Sequence, residues 1–175
     1  MKIYPATIQE LEAILTIQDL CYHEIEPESP EAMVSKINIS PDTCFVAKDT
    51  QGIRGYLLSI PASLGNPPQL HSDTQTLDQH PNCLYLHDLA IHPNARGMGV
   101  GKLLLQQFAT TATQKQFKHA SLISIQNSVP FWQKYGFSVI SPDTALEKKL
   151  KTYGDNATYM ECCLEDYFAK ADKAY

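Results

Sequence analysis

Apolar residues follow two rhythms along this chain, one helical and one strand-like, and the changes between them outline the elements. Leu11, Ile14, Leu15 and Ile17 fall at helical spacing behind Thr7 and Glu10, which form a Thr-x-x-Glu capping box. Ser29 followed by Pro30 supplies an N-cap with proline at the first helical position, so a second helix is predicted there. The intervening CYHEIEPES reads as a loop. TCFVAK, the turn DTQG and IRGYLLSI predict a two-stranded hairpin. From Pro61 to Asn82 the chain is polar and rich in Pro, Asn, Gln, Asp and Ser, which makes it either a mobile segment or a cover over a site.

The pattern sharpens at Cys83. CLYLHDLAI is almost wholly apolar, as a central strand covered on both faces should be, and HPNARGMG ends it. Leu103, Leu104, Phe108 and Ala112 then predict an amphipathic helix from about Gly99 to Gln116. ASLISI is the next strand, VPFWQKY a short helix, GFSVI a strand after a glycine stop, and ATYMECCL a last strand. The order β-α-α-β-β-β-α-β-α-β-β describes an α/β sheet of mixed direction without internal repeats. One domain is expected over 1–165, with a polar tail over 166–175.

Composition narrows the function classes. The 175 residues are 43% hydrophobic, enough for one well-cored domain. Net charge is −5 and no lysine or arginine run occurs, which argues against nucleic acid and anionic membrane as partners and weakly favours a cationic substrate. The N-terminal stretch has no signal-peptide pattern and no apolar run approaches about 18 residues, so a cytoplasmic protein is expected. Five cysteines without a C-x-x-C spacing, two of them the neighbours Cys162 and Cys163, read as reduced thiols, and no metal site is expected.

NARGMGVGKLLL sets Gly97, Gly99 and Gly101 at alternate positions where a helix should begin, and each forgoes about 1 kcal/mol of helix propensity relative to alanine. Spacing separates the chemistries that would require them. A P-loop needs four residues between its glycines and Ser or Thr after the lysine, whereas Leu103 follows Lys102 here. A dinucleotide fingerprint needs glycine at 102 or 104, which are Lys102 and Leu104. An anion held by backbone N–H groups at a helix N-terminus needs neither, and Arg96 and Lys102 add positive charge. A plain glycine-rich turn capping the helix is the alternative.

Arg96-x-x-Gly99-x-Gly101 after the strand LHDLAIHP resembles the acyl-CoA pyrophosphate loop of the GNAT superfamily of N-acyltransferases, and VPFWQKYGF resembles that family's later helix and Gly-Phe turn. YLHDLAIHP, SVPFWQKYGF and YMECC resemble most closely the arylalkylamine (serotonin) N-acetyltransferases. The resemblance implies the GNAT fold, a mixed, mostly antiparallel sheet of about seven strands flanked by helices. It implies acetyl-CoA as acyl donor, a small primary amine such as an aryl-alkylamine or polyamine as acceptor, and a monomer or homodimer. A peptide or protein N-acetyltransferase and a catalytically weak CoA-binding module are the alternatives.

The same resemblance assigns residues. Leu89, Ala90 and Ile91 pair with the pantetheine arm, with the Leu89 N–H facing the thioester oxygen; Arg96, Gly97, Met98, Gly99, Val100, Gly101 and Lys102 hold the pyrophosphate. Asn127 and Trp132 border the CoA arm, and Tyr22, His23, Pro30 and Tyr159 line the amine pocket. An alkylammonium of pKa about 10.4 reaches its neutral form at pH 7 at a cost of about 4.6 kcal/mol, whereas expelling a thiolate of pKa about 8.5 costs about 2 kcal/mol. A base therefore matters more than an acid. His87 stands at a family base position, the alternative being a hydrogen-bonded core histidine. Tyr85, at the other family base position, is expected to position water or touch substrate, while Asp88 is expected to be a structural partner. Strict alternation would set Tyr85, His87, Leu89 and Ile91 on one face. Trp132 occupies the family's acid position but cannot protonate a thiolate, and Tyr135 lies three residues further along the helix.

Overall fold

A computed structural model describes residues 1–23 and 25–171, with side chains in the final helix as far as Tyr167. Its strands are β1 (Lys2–Pro5), β2 (Phe45–Asp49), β3 (Gly52–Ala62), β4 (Cys83–Ile91), β5 (His119–Ser124), β6 (Ser138–Val139) and β7 (Thr158–Cys163). They form one sheet in the order β1-β2-β3-β4-β5-β7-β6, antiparallel throughout except for the parallel β4–β5 pair. This is the mixed, mostly antiparallel sheet of seven strands that the family resemblance implies.

The early helices start where their caps require. Thr7 Oγ accepts from the Gln9 amide at 3.2 Å and Glu10 reaches back to the Thr7 amide at 2.9 Å, opening a single 3₁₀ turn that runs into α1 (Leu11–Cys21). Ser29 Oγ accepts from the Ala32 amide at 3.2 Å and Pro30 is the first residue of α2 (Pro30–Ile39). These helices cover one face of the sheet, where Ile14, Ile17, Met33 and Ile37 pack on Val46, Tyr56 and Leu58. On the other face α3 (Val100–Gln114) sets Leu104, Leu105 and Phe108 against Leu57, Leu84 and Leu122.

Two helices lie where none is predicted. α5 (Thr144–Leu150) is capped by Asp143, whose Oδ1 accepts from the Leu146 amide at 2.8 Å, and it packs Leu146 and Leu150 on Tyr159. α6 (Leu164–Ala171) occupies most of the expected polar tail, because Leu164 and Tyr167 are buried in the main core beside Phe137; residues 172–175 lie outside the described part. α4 (Val129–Lys134) matches the predicted short helix. No described helix is long and apolar enough to cross a membrane. All five cysteines are free thiols.

Two irregularities in β4 create the site. Leu58 opposes Asp88 while the next residue, Ser59, opposes Leu86, so His87 is the extra residue of a β-bulge. The bulge resets the alternation: Leu84, Leu86, Leu89 and Ile91 face the α3 core, whereas Tyr85 and Ala90 face the opposite side. The sequence expectation that Tyr85, His87, Leu89 and Ile91 share a face is therefore corrected. Register pairing between β4 and β5 also stops at Leu86 and Leu122, and beyond that point the parallel strands part.

Candidate active site

The chain leaves β4 through a 3₁₀ turn at Pro93–Ala95, where His92 Nδ1 accepts from the Asn94 amide at 3.1 Å. Gly97 and Gly99 then both take φ of +78°. An added Cβ at either would meet nothing within 4 Å, so backbone conformation, not space, demands glycine at both. Gly99 is the N-cap of α3 and no side-chain bond from the cap closes that end. The N–H groups of the first turn keep the positive end of the helix dipole open, a place suited to an anion. Gly101 is the second residue of α3, where a Cβ would be in ordinary contact with Ile91 at 3.9 Å.

From this turn a cleft of about 510 Å³ runs between the parted strands. Leu86, His87, Asp88, Leu89 and Ile91 form one wall; Leu122, Ile123, Gln126 and Trp132 form the other. Its far end is bounded by Tyr22, Ile25, Pro27, Leu70 and Tyr153. Leu70 belongs to the polar 63–82 segment, which therefore contributes to covering the cleft.

At the bulge, the His87 side chain is 2% exposed and its Nε2 lies 2.5 Å from Glu28 Oε2. Glu28 Oε1 accepts from the His71 amide at 2.8 Å, and Lys36 Nζ, wholly buried, lies 3.5 Å from Oε2. Burial alone would raise the Glu28 pKa from its usual 4.5, but His87, Lys36 and the His71 amide outweigh it and hold it at about 2. Burial pulls Lys36 down, and Glu28 partly offsets this. An ionised carboxylate only accepts, so the neutral tautomer of His87 that fits this bond carries its proton on Nε2 and a lone pair on Nδ1. Nδ1 is buried with no hydrogen-bond partner among the described residues. His87 thus brings to the cleft lining a basic ring nitrogen whose hydrogen-bonding capacity is unused among the described residues.

Asp88 is held differently. It accepts from Tyr56 Oη at 2.7 Å and from Tyr22 Oη, and burial raises its pKa against the pull of those two hydroxyls. Both tyrosines are driven well above their ordinary pKa by burial and by Asp88. This cluster braces the strand beside the bulge.

The family model for the Acetyltransferase (GNAT) family matches residues 11–137. The chain belongs to the GNAT acetyltransferase family. No curated protein sequence matches it. Among solved structures, the GphF GNAT-like decarboxylase in complex with isobutyryl-CoA is similar, with TM-score 0.76, 14% identity and coverage of 94% of this chain and 100% of that one. Chaetomium thermophilum Naa20 with a bisubstrate analogue gives TM-score 0.68 and 18% identity over 97% and 90% of the two chains. The ribosomal-protein-S18-alanine N-acetyltransferase from Escherichia coli gives 0.65 and 14% over 93% of each. Likeness at such identities establishes the GNAT fold alone.

Against this GNAT frame the residues expected from sequence divide. Leu89, Ile91, Arg96, Gly97, Gly99, Val100, Gly101, Lys102 and Trp132 line the cleft together with His87 and Tyr22. Ala90 packs on the α1–α2 side and Met98 is 58% exposed outside the lining. Asn127, at φ +57°, borders a separate shallow depression with Asp155 and Thr158; Gln126 and Ser128 take its expected place. Tyr85 is completely buried and its pKa is raised well above normal by burial. Its hydroxyl lies 3.5 Å from that of Tyr153 and its ring centroid 5.9 Å from that of His87, both residues of the cleft wall, while Tyr85 itself does not line the cleft.

Tyr159 is buried against α5, where Gly65 donates to its hydroxyl at 2.8 Å and burial lifts its pKa to about 12. Pro30 is exposed, and the His23 amide donates to Gln126 Oε1 at 3.5 Å. Neither lines the cleft, which Ile25 and Pro27 border instead. Trp132 Nε1 donates to Ser128 Oγ at 3.1 Å, while Tyr135, stacked on Tyr167, also lines the cleft despite its expected place on another helix face. Glu28, Lys36, Gln126 and Tyr153 were not expected. Glu28 and His87 are 59 residues apart, a pairing that only tertiary structure creates.

Proposed function

We propose that this GNAT protein transfers an acetyl group from acetyl-CoA to a small primary amine of the aryl-alkylamine or polyamine type. The reading is carried by His87, a residue of the cleft lining where β4 and β5 part, whose Nδ1 has no hydrogen-bond partner among the described residues. The acyl donor supplies an activated thioester carbonyl: the amine forms the C–N bond, the C–S bond breaks, and the thiol leaves with a proton. His87 Nδ1 takes the first proton from the ammonium, and Glu28 stabilises the resulting imidazolium. Leu89 N–H is assigned to the carbonyl oxygen. Residues 96, 97 and 99–102 are assigned to the diphosphate, with Gly97 and Gly99 forming the turn. Trp132 has no acidic proton to give, so the leaving thiolate takes its proton from solvent or from the acceptor.

The acceptor class rests on the far end of the cleft. Leu70, Tyr153, Ile25 and Pro27 give the cleft an apolar lining, while Glu26, Glu28 and Asp88 supply acidic groups. An amine with an apolar body and a positive charge suits such a lining. Thiol release measured over a panel of aryl-alkylamines, polyamines and N-terminal peptides tests this. Turnover of peptides alone replaces the acceptor assignment, and CoA binding without turnover of any acceptor reduces the chain to a CoA-binding module.

Gly99→Val is expected to weaken CoA binding at least tenfold by titration calorimetry. A β-branched residue at φ +78° costs about 1–2 kcal/mol in backbone conformation, and relaxing it rotates the first N–H groups of α3. Unchanged CoA affinity would remove the diphosphate assignment from this turn.

A further inference from the structure

We propose that Glu28 is a positioning residue whose two oxygens couple the seating of the 63–82 segment to the tautomer of His87. This rests on the reading of His87 as the base.

Glu28 divides its bonding between two parts of the chain that sequence keeps apart. Oε1 accepts from the His71 amide of the segment at 2.8 Å, and Oε2 accepts from His87 Nε2. Lys36 repeats the division: Nζ faces Glu28 Oε2 at 3.5 Å and donates to the Ser72 carbonyl at 3.1 Å. The same buried ion pair therefore fastens the cover and the ring. Gln18, also buried, fixes the Glu28 backbone by donating to its carbonyl at 2.9 Å. The carboxylate is left with little freedom except rotation of its own side chain.

The segment is held in a conformation it would not take alone. His71 has φ of +61°, a region that costs a non-glycine residue of the order of 1 kcal/mol. Its neighbours are tied down on three sides: the Thr74 amide to Ser35 Oγ at 3.0 Å, the Leu70 amide to Thr152 Oγ1 at 3.3 Å, and the Pro68 carbonyl to Tyr153 Oη at 3.0 Å. These ties aim the His71 N–H at Glu28 and bring Leu70 over the cleft. With the segment lifted, Oε1 loses its donor and Lys36 loses the Ser72 carbonyl. The carboxylate then turns, and His87 is released to place its proton on either nitrogen. With it seated, the proton stays on Nε2 and the basic lone pair stays on Nδ1.

Ring ¹⁵N spectra of ¹⁵N-histidine-labelled protein, recorded about two pH units above the ordinary imidazole pKa of about 6.5, test this. The His87 signals are identified by their loss in His87→Gln. In the unaltered protein the Nε2–H tautomer is expected; an Nδ1–H ring overturns the proposal without any further variant. Glu28→Gln is expected to mix the two tautomers and to lower kcat about 100-fold, with KM for acetyl-CoA within about twofold. A chain in which residues 66–80 are replaced by a short Gly-Ser linker is expected to show the same mixed ring signals. Ring signals that stay in the Nε2–H form in Glu28→Gln overturn the positioning role; the same outcome in the linker chain overturns the coupling. The ring state is read without turnover, so an active His87→Gln enzyme would refute the base assignment while leaving the tautomer result standing.

Discussion

His87→Ala is expected to lower kcat by about 10²- to 10⁴-fold while CoA affinity stays within about twofold of the unaltered enzyme. The size follows from what the base contributes. At pH 7 an alkylammonium of pKa about 10.4 is almost wholly protonated, and freeing its lone pair without help costs about 4.6 kcal/mol, some three orders of magnitude in rate. The variant leaves Glu28 with Lys36 and the His71 amide as partners, so its charge is not stranded. The loss should therefore appear in turnover and not as unfolding. The sign of the pH dependence is a second check. Without a protein base, the rate must follow the fraction of neutral acceptor, rising about tenfold per pH unit towards the amine pKa. The deficit against the unaltered enzyme should narrow as pH rises. A kcat within tenfold at pH 7, or a deficit that does not narrow, would return His87 to the role of a core histidine.

How much of this arrangement is visible in sequence depends on whether a feature is local. The glycine turn is legible because Gly97 and Gly99 answer a local demand for positive φ, and the capping box at Thr7 and the N-cap at Ser29 lie within four residues of the N–H groups they satisfy. The identity of His87 as a cleft residue follows from its strand. Its face does not, because the bulge is set by the mismatch between β3 and β4, and CLYLHDLAI carries no mark of it. That single extra residue separates Tyr85 from Leu89 and buries the tyrosine behind Tyr153. Glu28 is invisible for a different reason: EPES is an ordinary loop until α2 brings Lys36 beneath it and the 63–82 segment closes over it. α5 is missed although Asp143 is a good N-cap, because seven residues give too short a pattern to separate from a loop. Tyr167 needed the tertiary core to draw the supposed tail into a helix.

Gly55→Ala is expected to destabilise the protein by about 2–3 kcal/mol, lowering Tm by about 5–10 °C in a domain of this size. Alanine in a strand interior normally gains about 0.5–1 kcal/mol over glycine through backbone entropy, so the direction alone is informative. Gly55 pairs with Ile91 across β3 and β4, under the point where α3 begins. A Cβ there would stand 2.9 Å from the Ala90 carbonyl oxygen, 2.8 Å from Ile91 Cδ1 and 3.1 Å from Val100 Cγ1. The two side-chain ends can rotate away, but the carbonyl is part of the ladder and cannot, so the strands or the first turn of α3 must shift. Val100 is the first residue of α3 and follows Gly99 directly, which ties the displacement to the glycine turn proposed to hold the diphosphate. CoA affinity should therefore fall together with Tm, although Gly55 itself does not line the cleft. The double variant Gly55→Ala, Val100→Ala removes the Val100 contact and should recover part of the binding while leaving the clash with the carbonyl. An unchanged or raised Tm in Gly55→Ala would mean that the sheet yields at little cost, and that the seat of α3 on β3 does not depend on a bare backbone at this position.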